Sequence, residues 1–265
     1  MRLTVVGCSG SMPGPGGPAS CYLVEAPEAL PDGEVRTWRV LLDLGSGALG
    51  PLQALVDLCD LDAVLLSHLH PDHCLDLCGL HVARTYDPRR DRSGHPGKLT
   101  VLGPAGTAEH LAGAYGGDEG RALGATYDVR PWRTGEVLRL GPLAVQTAPA
   151  RHPVEAHALR VTEVATGRAL VYTGDTDTCP GVERLARGAD LLLAEAAFHE
   201  GRDAARGVHL TGRRAAELAR DAGAHRLLLT HLPPWNEPGR TLAEASGVGY
   251  AGEVALARPG LVVEV

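Results

Sequence analysis

The sequence predicts a mixed α/β protein whose sheets are covered by helices in layers. Short β-type segments recur in both halves of the 265 residues, with helical spacing between some of them. Apolar residues make up 44% of the chain, enough to bury a large core. Ligand-type side chains also fall repeatedly at the carboxyl ends of apolar segments, where α/β sites form. With no internal repeat and no linker composition, residues 1–265 are expected to form a single domain.

Taken in order, residues 2–6 read as a first strand, broken by Gly7-Cys8-Ser9-Gly10 and a proline- and glycine-rich loop through Pro18. Residues 20–25 and 37–43 follow as strands, and residues 49–58 have helical spacing. Residues 62–66 form a strand, after which Pro71 suits a first helical turn and should open a helix over 72–84. Residues 99–102 read as a strand and 107–114 as a helix. Strand signals then dominate, at 125–130, 136–140, 143–148, 157–162 and 169–172. Residues 190–194 are a strand, and Thr211 caps a helix over 212–222 with Gly223 as its stop. A strand at 226–230, a helix after Pro238 and two closing strands complete the chain.

The formal net charge of -7 argues against a general binder of polyanions. One basic stretch stands out, residues 84–98, with Arg84, Arg89, Arg90, Arg92, His95 and Lys98. It is either a solvated loop or a phosphate-attracting rim. Six cysteines are too few for a disulfide scaffold of this length, and Cys74 and Cys78, four apart on the expected helix, suit packing. No apolar run approaches a membrane span, and the stretch before Cys8 is too short for a signal peptide. A cytoplasmic protein with no membrane partner is the expectation.

The chemistry centres on Ser67-His68-Leu69-His70-Pro71-Asp72-His73. His68 and His70 lie two apart at the end of a strand, so an extended backbone points both rings to one side. Asp72 and His73 follow across the proline turn. Two short ligand sets on either side of a turn suit two metal ions better than one. His152, Asp175, Glu195 and His231 each close a later apolar strand. Singly, each reads as a turn or capping residue; together with the cluster they suggest one convergent site.

His68-x-His70-x-Asp72-His73, followed in order by His152, Asp175 and His231, resembles the metallo-β-lactamase superfamily over almost the whole chain. The resemblance implies an α/β fold of the metallo-β-lactamase type, a four-layer αβ/βα sandwich of two mixed sheets. It also implies two divalent metal ions at one edge. His68, His70 and His152 would hold the first, Asp72, His73 and His231 the second, and Asp175 would bridge them. Such a ligand set suits zinc or manganese, and paired metals acidify a shared water toward neutral pH.

Ala194-Glu195-Ala196-Ala197-Phe198 and Val208-His209-Leu210-Thr211 resemble two segments of ribonuclease Z. By that resemblance Glu195 orients His209, and His209 protonates the leaving oxygen, which a phosphodiester needs because its alkoxide leaves poorly. The loop after the first strand is similar to the ribonuclease Z loop, and Ser9, Gly10 and Ser11 could present backbone N–H groups to an anion; a plain turn is the alternative. Ribonuclease Z carries a tRNA-gripping arm after the third-motif histidine. Only residues 153–174 separate His152 from Asp175 here, which leaves no room for it.

Several blocks look like atypical class II bacterial cyclic-nucleotide phosphodiesterases: the Gly7 start, the histidine cluster, Tyr172-Thr-Gly-Asp-Thr and Leu229-Thr-His-Leu-Pro-Pro-Trp. The expected function is hydrolysis of a small nucleotide phosphodiester, cyclic AMP to 5′-AMP, with Asp72 taking the nucleophile's proton. A tRNA 3′-end endonuclease is the alternative, disfavoured by the absent arm, and a non-catalytic nucleotide-binding or carrier protein is the alternative of another class. Trp235 and Tyr115 could stack on a base or simply pack. A homodimer is expected by analogy with homologous folds.

Overall fold

The computed structural model describes residues 1–88, 97–116 and 123–265. An antiparallel set, β1 (Arg2–Gly7), β2 (Cys21–Ala29) and β3 (Val35–Leu42), begins the first sheet, and β4 (Ala63–Leu65), β5 (Leu99–Gly103) and β6 (Tyr127–Pro131) extend it in parallel. The second sheet starts as a meander, β7 (Leu138–Leu140), β8 (Leu143–Pro149), β9 (His157–Glu163) and β10 (Ala169–Tyr172). It continues in parallel through β11 (Leu191–Glu195), β12 (Arg226–Thr230) and β13 (Glu253–Leu256). The last strand, β14 (Val262–Glu264), returns to pair with β1. Among the described residues each sheet thus has seven strands, in the orders β14-β1-β2-β3-β4-β5-β6 and β13-β12-β11-β10-β9-β8-β7.

Burial explains the near-continuous apolar runs of the central strands, which are covered on both faces. Leu3, Tyr22, Leu42 and Leu65 of one sheet meet Val145, Leu159, Tyr172 and Leu193 of the other. On the outer face of the first sheet Leu41, Val64 and Val101 pack with Leu52, Leu77, Leu80 and Leu111 from α1 (Leu49–Gln53), α3 (Leu77–Tyr86) and α4 (Thr107–Tyr115). On the second, Leu192 and Leu227 meet Val182, Ala215 and Leu218 from α6 (Pro180–Ala186) and α7 (Gly212–Ala222). The result is the expected four-layer sandwich with two mixed sheets inside.

The helix α7 starts and stops where its residues direct. The Thr211 side chain accepts from the Arg214 N–H, and Gly223 ends the helix at φ 63°. Elsewhere tertiary bonds override local spacing. The expected helix over 72–84 is split into α2 (Pro71–Cys74) and α3, because Asp76 serves its neighbours: its Oδ2 accepts from Leu49 N–H (2.8 Å) and its N–H donates to Leu44 O (3.2 Å). The helix expected over 49–58 ends at Gln53, and only a single 3₁₀ turn, Leu58–Asp60, follows. The strand expected from 125 is preceded by α5 (Leu123–Thr126). A last helix, α8 (Pro238–Ser246), packs beside α7.

The short connection between β9 and β10 is a turn, with Gly167 N–H bonded to Glu163 O at 2.8 Å, so no arm is inserted there. Within the basic stretch, Arg84 is no rim residue. It is buried and donates to Leu58 O (2.8 Å) and Cys59 O (3.3 Å), a structural role that fixed helical register alone does not announce. Arg89, Arg90, Arg92 and His95 lie outside the described residues. The six cysteines are free, and Cys74 packs into the outer core as expected. No helix among the described residues is long and apolar enough to cross a membrane.

Candidate active site

Every strand that delivers a site residue does so at its carboxyl end, and the strand directions bring those ends to one rim. Asp43 follows β3, His68 follows β4, His152 follows β8, Asp175 follows β10, Glu195 ends β11 and His231 follows β12. Two groups assemble there: His68, His70, His152 and Asp175; and Asp72, His73, Asp175 and His231, each with ligand atoms within 4.8 Å of one another. Asp175 belongs to both. His68 Nε2 lies 3.0 Å from His70 Nδ1, which is 3.3 Å from His152 Nε2. Asp175 Oδ1 is 3.3 Å from His73 Nε2, and its Oδ2 is 3.2 Å from His231 Nε2 and 3.7 Å from His68 Nε2.

These donors fit cations. Asp72 Oδ2, His73 Nε2 and Asp175 Oδ1 are buried without a hydrogen-bond partner, a costly state for atoms turned toward a common space unless a cation satisfies them. The other imidazole nitrogens are engaged behind the site and set the tautomers. His73 Nδ1–H donates to Asp43 Oδ2 (2.7 Å) and His152 Nδ1–H to Val208 O (2.9 Å). His231 Nδ1 bonds Ser20 Oγ and His68 Nδ1 bonds Ser67 Oγ, both at 3.1 Å. Burial pushes His68, His70 and His152 below the usual imidazole range, which keeps them neutral, the form that ligates. Burial disfavours the charge on Asp175, but His231, His73 and His68 outweigh it and hold the carboxylate well below its ordinary range.

Asp43 was not among the residues singled out from the sequence, although it has the same signature, an acid closing an apolar strand before a glycine. It is wholly buried and accepts from Ser67 N–H, Ser67 Oγ, His73 Nδ1 and Tyr172 Oη, all at 2.7 Å. Tyr172 belongs to the second sheet, so this carboxylate ties the sheets together behind the ligand groups. Gly174, at φ 55°, permits the close approach: a Cβ there would lie 2.7 Å from Ser67 Cβ. Ser11, Asp43 and His231 are the non-glycine residues with left-handed backbone among those described, and all three sit at this rim.

Beside the ligand groups, His209 Nδ1–H donates to Glu195 Oε1 at 2.8 Å. Glu195 is held in turn by the N–H groups of Thr176 and Ala197, each at 3.0 Å. Burial works against a charge on His209, but the charge and hydrogen bond of Glu195 outweigh it and carry the imidazole up to about 9. The sequence placed no partner behind this pair. The structure adds Asp177, which accepts from Gly207 N–H (2.8 Å) and from Arg214 (2.6 Å) and so anchors the segment that presents His209.

The loop after β1 corrects part of the expectation. Ser9 N–H donates to Pro18 O (3.1 Å) and Gly10 N–H to Leu232 O (3.1 Å), so neither is turned to an anion. Gly10 is wedged against His231, where a Cβ would lie 2.2 Å from the carbonyl oxygen. The Ser11 N–H is engaged as well, but by a site residue: it donates to His231 Nε2 at 3.3 Å. Tyr115 packs edge-on against His81, with centroids 5.0 Å apart, whereas Trp235 is 62% exposed.

Comparison with known proteins agrees with this architecture. The Beta-lactamase superfamily domain matches residues 38–232. An uncharacterized protein of Mycobacterium leprae, ML1173, is 43% identical over 248 residues, covering 92% of this chain and 82% of that protein. The probable metallo-hydrolase YhfI of Bacillus subtilis is 30% identical over the full length of both, and its crystal structure superposes with a TM-score of 0.85, covering 100% of this chain and 99% of that one. A ribonuclease Z of Brevibacillus brevis is 27% identical across 73% of this chain and 75% of that protein. The chain belongs to the β-lactamase superfamily, among its ribonuclease Z-like metallo-hydrolases.

Proposed function

We propose that the protein is a two-metal phosphodiesterase acting on a small nucleotide, with 3′,5′-cyclic AMP as substrate and 5′-AMP as product. The observation that carries this reading is the Glu195–His209 pair, 2.8 Å apart, beside the two groups that share Asp175. His68, His70 and His152 would hold one ion, Asp72, His73 and His231 the other, with Asp175 common to both. Divalent ions held there supply a water nucleophile at neutral pH and offset the phosphoryl charge.

The chain's own groups handle the protons. Asp72, which His73 and His231 hold below the usual carboxylate range despite burial, is ionised and takes a proton from the water. Its Oδ2 is buried among those imidazoles. His209 delivers the proton on Nε2 to the departing 3′ oxygen, while Glu195 fixes its Nδ1–H and balances its charge. The Ser11 N–H, which donates to His231 Nε2 in this structure, would be free for a phosphoryl oxygen once a cation takes that nitrogen.

A tRNA 3′-end endonuclease is the second reading, favoured by the relative named ribonuclease Z and disfavoured by the short turn between β9 and β10. A carrier without activity would not need a complete donor set with a poised acid beside it. The test is turnover of zinc- or manganese-loaded protein on cyclic AMP, precursor tRNA and bis(p-nitrophenyl) phosphate in parallel. His209→Ala should cut kcat on cyclic AMP about 10²- to 10⁴-fold with metal content intact. Unchanged turnover would reject the acid role, and tRNA cleavage without cyclic AMP turnover would establish the endonuclease.

A further inference from the structure

Arginines gather beside the segment that presents His209. Arg214 Nη1 donates to Asp177 Oδ1 at 2.6 Å, and Arg206 Nε lies 2.9 Å from Asp177 Oδ2. Arg151 meets the same segment through its backbone and its side chain. Its backbone N–H donates to Thr176 Oγ1 (3.0 Å) and its carbonyl accepts from Asp177 N–H (2.9 Å). Its guanidinium lies along Gly207, where a Cβ would meet Nε at 3.4 Å. The next residue, His152, bonds Val208 O, and the His152 and His209 rings are 5.4 Å apart between centroids.

Arg206 and Arg214 share the carboxylate of Asp177. Arg151 is exposed, and its side chain makes no ion pair or hydrogen bond among the described residues. In a chain of net charge -7, an unmatched guanidinium beside the acid that serves the leaving group is a local inversion of sign. Its planar fork suits a phosphate better than a point charge would.

We infer that Arg151 is a substrate-positioning residue for a phosphate carried by the leaving nucleotide, so that the site accepts short linear nucleotides bearing a 5′-phosphate as well as a cyclic monophosphate. The inference rests on the phosphodiesterase reading. The scissile phosphorus sits at the ligand groups and the departing 3′ oxygen at His209. A nucleoside leaving through its 3′ oxygen has one further anionic position, its own 5′-phosphate, and Arg151 flanks the side on which it departs. The water oxygen bonds phosphorus and one of its protons passes to Asp72. The P–O3′ bond breaks, and O3′ takes the proton of His209. A 5′-phosphorylated dinucleotide thus yields two nucleoside 5′-monophosphates.

The experiment compares manganese-loaded wild type, Arg151→Ala and Arg151→Lys on the 5′-phosphorylated adenosine dinucleotide and on the same dinucleotide lacking that phosphate. Metal content is measured for each. Wild type should favour the phosphorylated substrate about tenfold or more in kcat/KM, carried by KM, as expected for one charge-assisted contact. Arg151→Ala should reduce the preference to within about twofold, because enzyme and substrate would each lack one partner of the same contact. Arg151→Lys should retain an intermediate preference. A preference unchanged in Arg151→Ala, or absent in wild type, would overturn the inference. Failure on both dinucleotides with turnover of cyclic AMP or bis(p-nitrophenyl) phosphate would overturn it while leaving the phosphodiesterase reading in place; failure on all four would remove both.

Discussion

Replacing Glu195 by Gln tests the proton economy of the site with little change of shape. Glutamine Oε1 can accept from His209 Nδ1–H and Thr176 N–H as the carboxylate does, but the charge disappears and an amide NH2 replaces the oxygen that accepts from Ala197 N–H. Burial, which works against a charged His209, remains. Asp175 still favours the charge, so the imidazole should fall from about 9 toward its ordinary value of about 6.5, a change of up to about 2.5 units, or about 3.4 kcal/mol. At a pH one unit below the wild-type value the protonated fraction drops from about 0.9 to as little as about 0.03, so acid-limited turnover should fall by up to about 30-fold. A group that must be protonated loses activity as pH rises through its pKa, so the alkaline limb of kcat should move to lower pH by the same interval. Bound cations lower both values, and the shift between the two proteins is the quantity read. The assay is kcat against pH from 5 to 10 with about equal metal content. A uniform loss at all pH values, with the limb unmoved, would refute the reasoning and reduce Glu195 to a packing role.

Asp175→Ala should lose metal and activity together, because the carboxylate belongs to both ligand groups; elemental analysis showing both ions retained would count against a shared role. Asp43→Asn should turn an amide N–H toward His73 Nδ1 and shift that imidazole's proton to Nε2, where it blocks ligation. Metal affinity should fall about 10- to 100-fold in a chelator competition. Equal affinity would show that the orienting bond is dispensable.

The candidate metal-binding residues were legible in the sequence because their chemistry is local: two histidines at strand spacing, an aspartate and histidine across a proline turn, and single groups closing apolar strands. Glu195 and His209 lie fourteen residues apart, yet their pairing at 2.8 Å came only through resemblance. What the sequence hid were contacts whose partners share no neighbourhood in the chain. Asp43 and Tyr172 are 129 positions apart, and nothing in either segment names the other. The split helix at Asp76 has the same origin, since a side chain bonding Leu49 is invisible to helical spacing. The basic stretch of residues 84–98 is contiguous in the chain, whereas the exposed Arg151 and Arg206 meet beside Gly207 from separate segments. Charge runs read along the chain report solvated loops more readily than assembled surfaces.

The two sheets also share a plan that no sequence repeat disclosed. In each, one central strand pairs antiparallel on one side and parallel on the other: β3 between β2 and β4, and β10 between β9 and β11. Such a strand marks the change from antiparallel hairpin connections to parallel crossovers, while the strand order itself runs on in one direction. Both pivot strands are followed by a buried carboxylate, Asp43 after β3 and Asp175 after β10. His73 stands between them, with Nδ1 bonded to Asp43 at 2.7 Å and Nε2 3.3 Å from Asp175 Oδ1. One imidazole is therefore oriented by the first sheet and offered to the second. Closure of the sandwich and assembly of the ligand groups are the same event, which is why the unpaired atoms of Asp72, His73 and Asp175 lie where the edges of the two sheets meet.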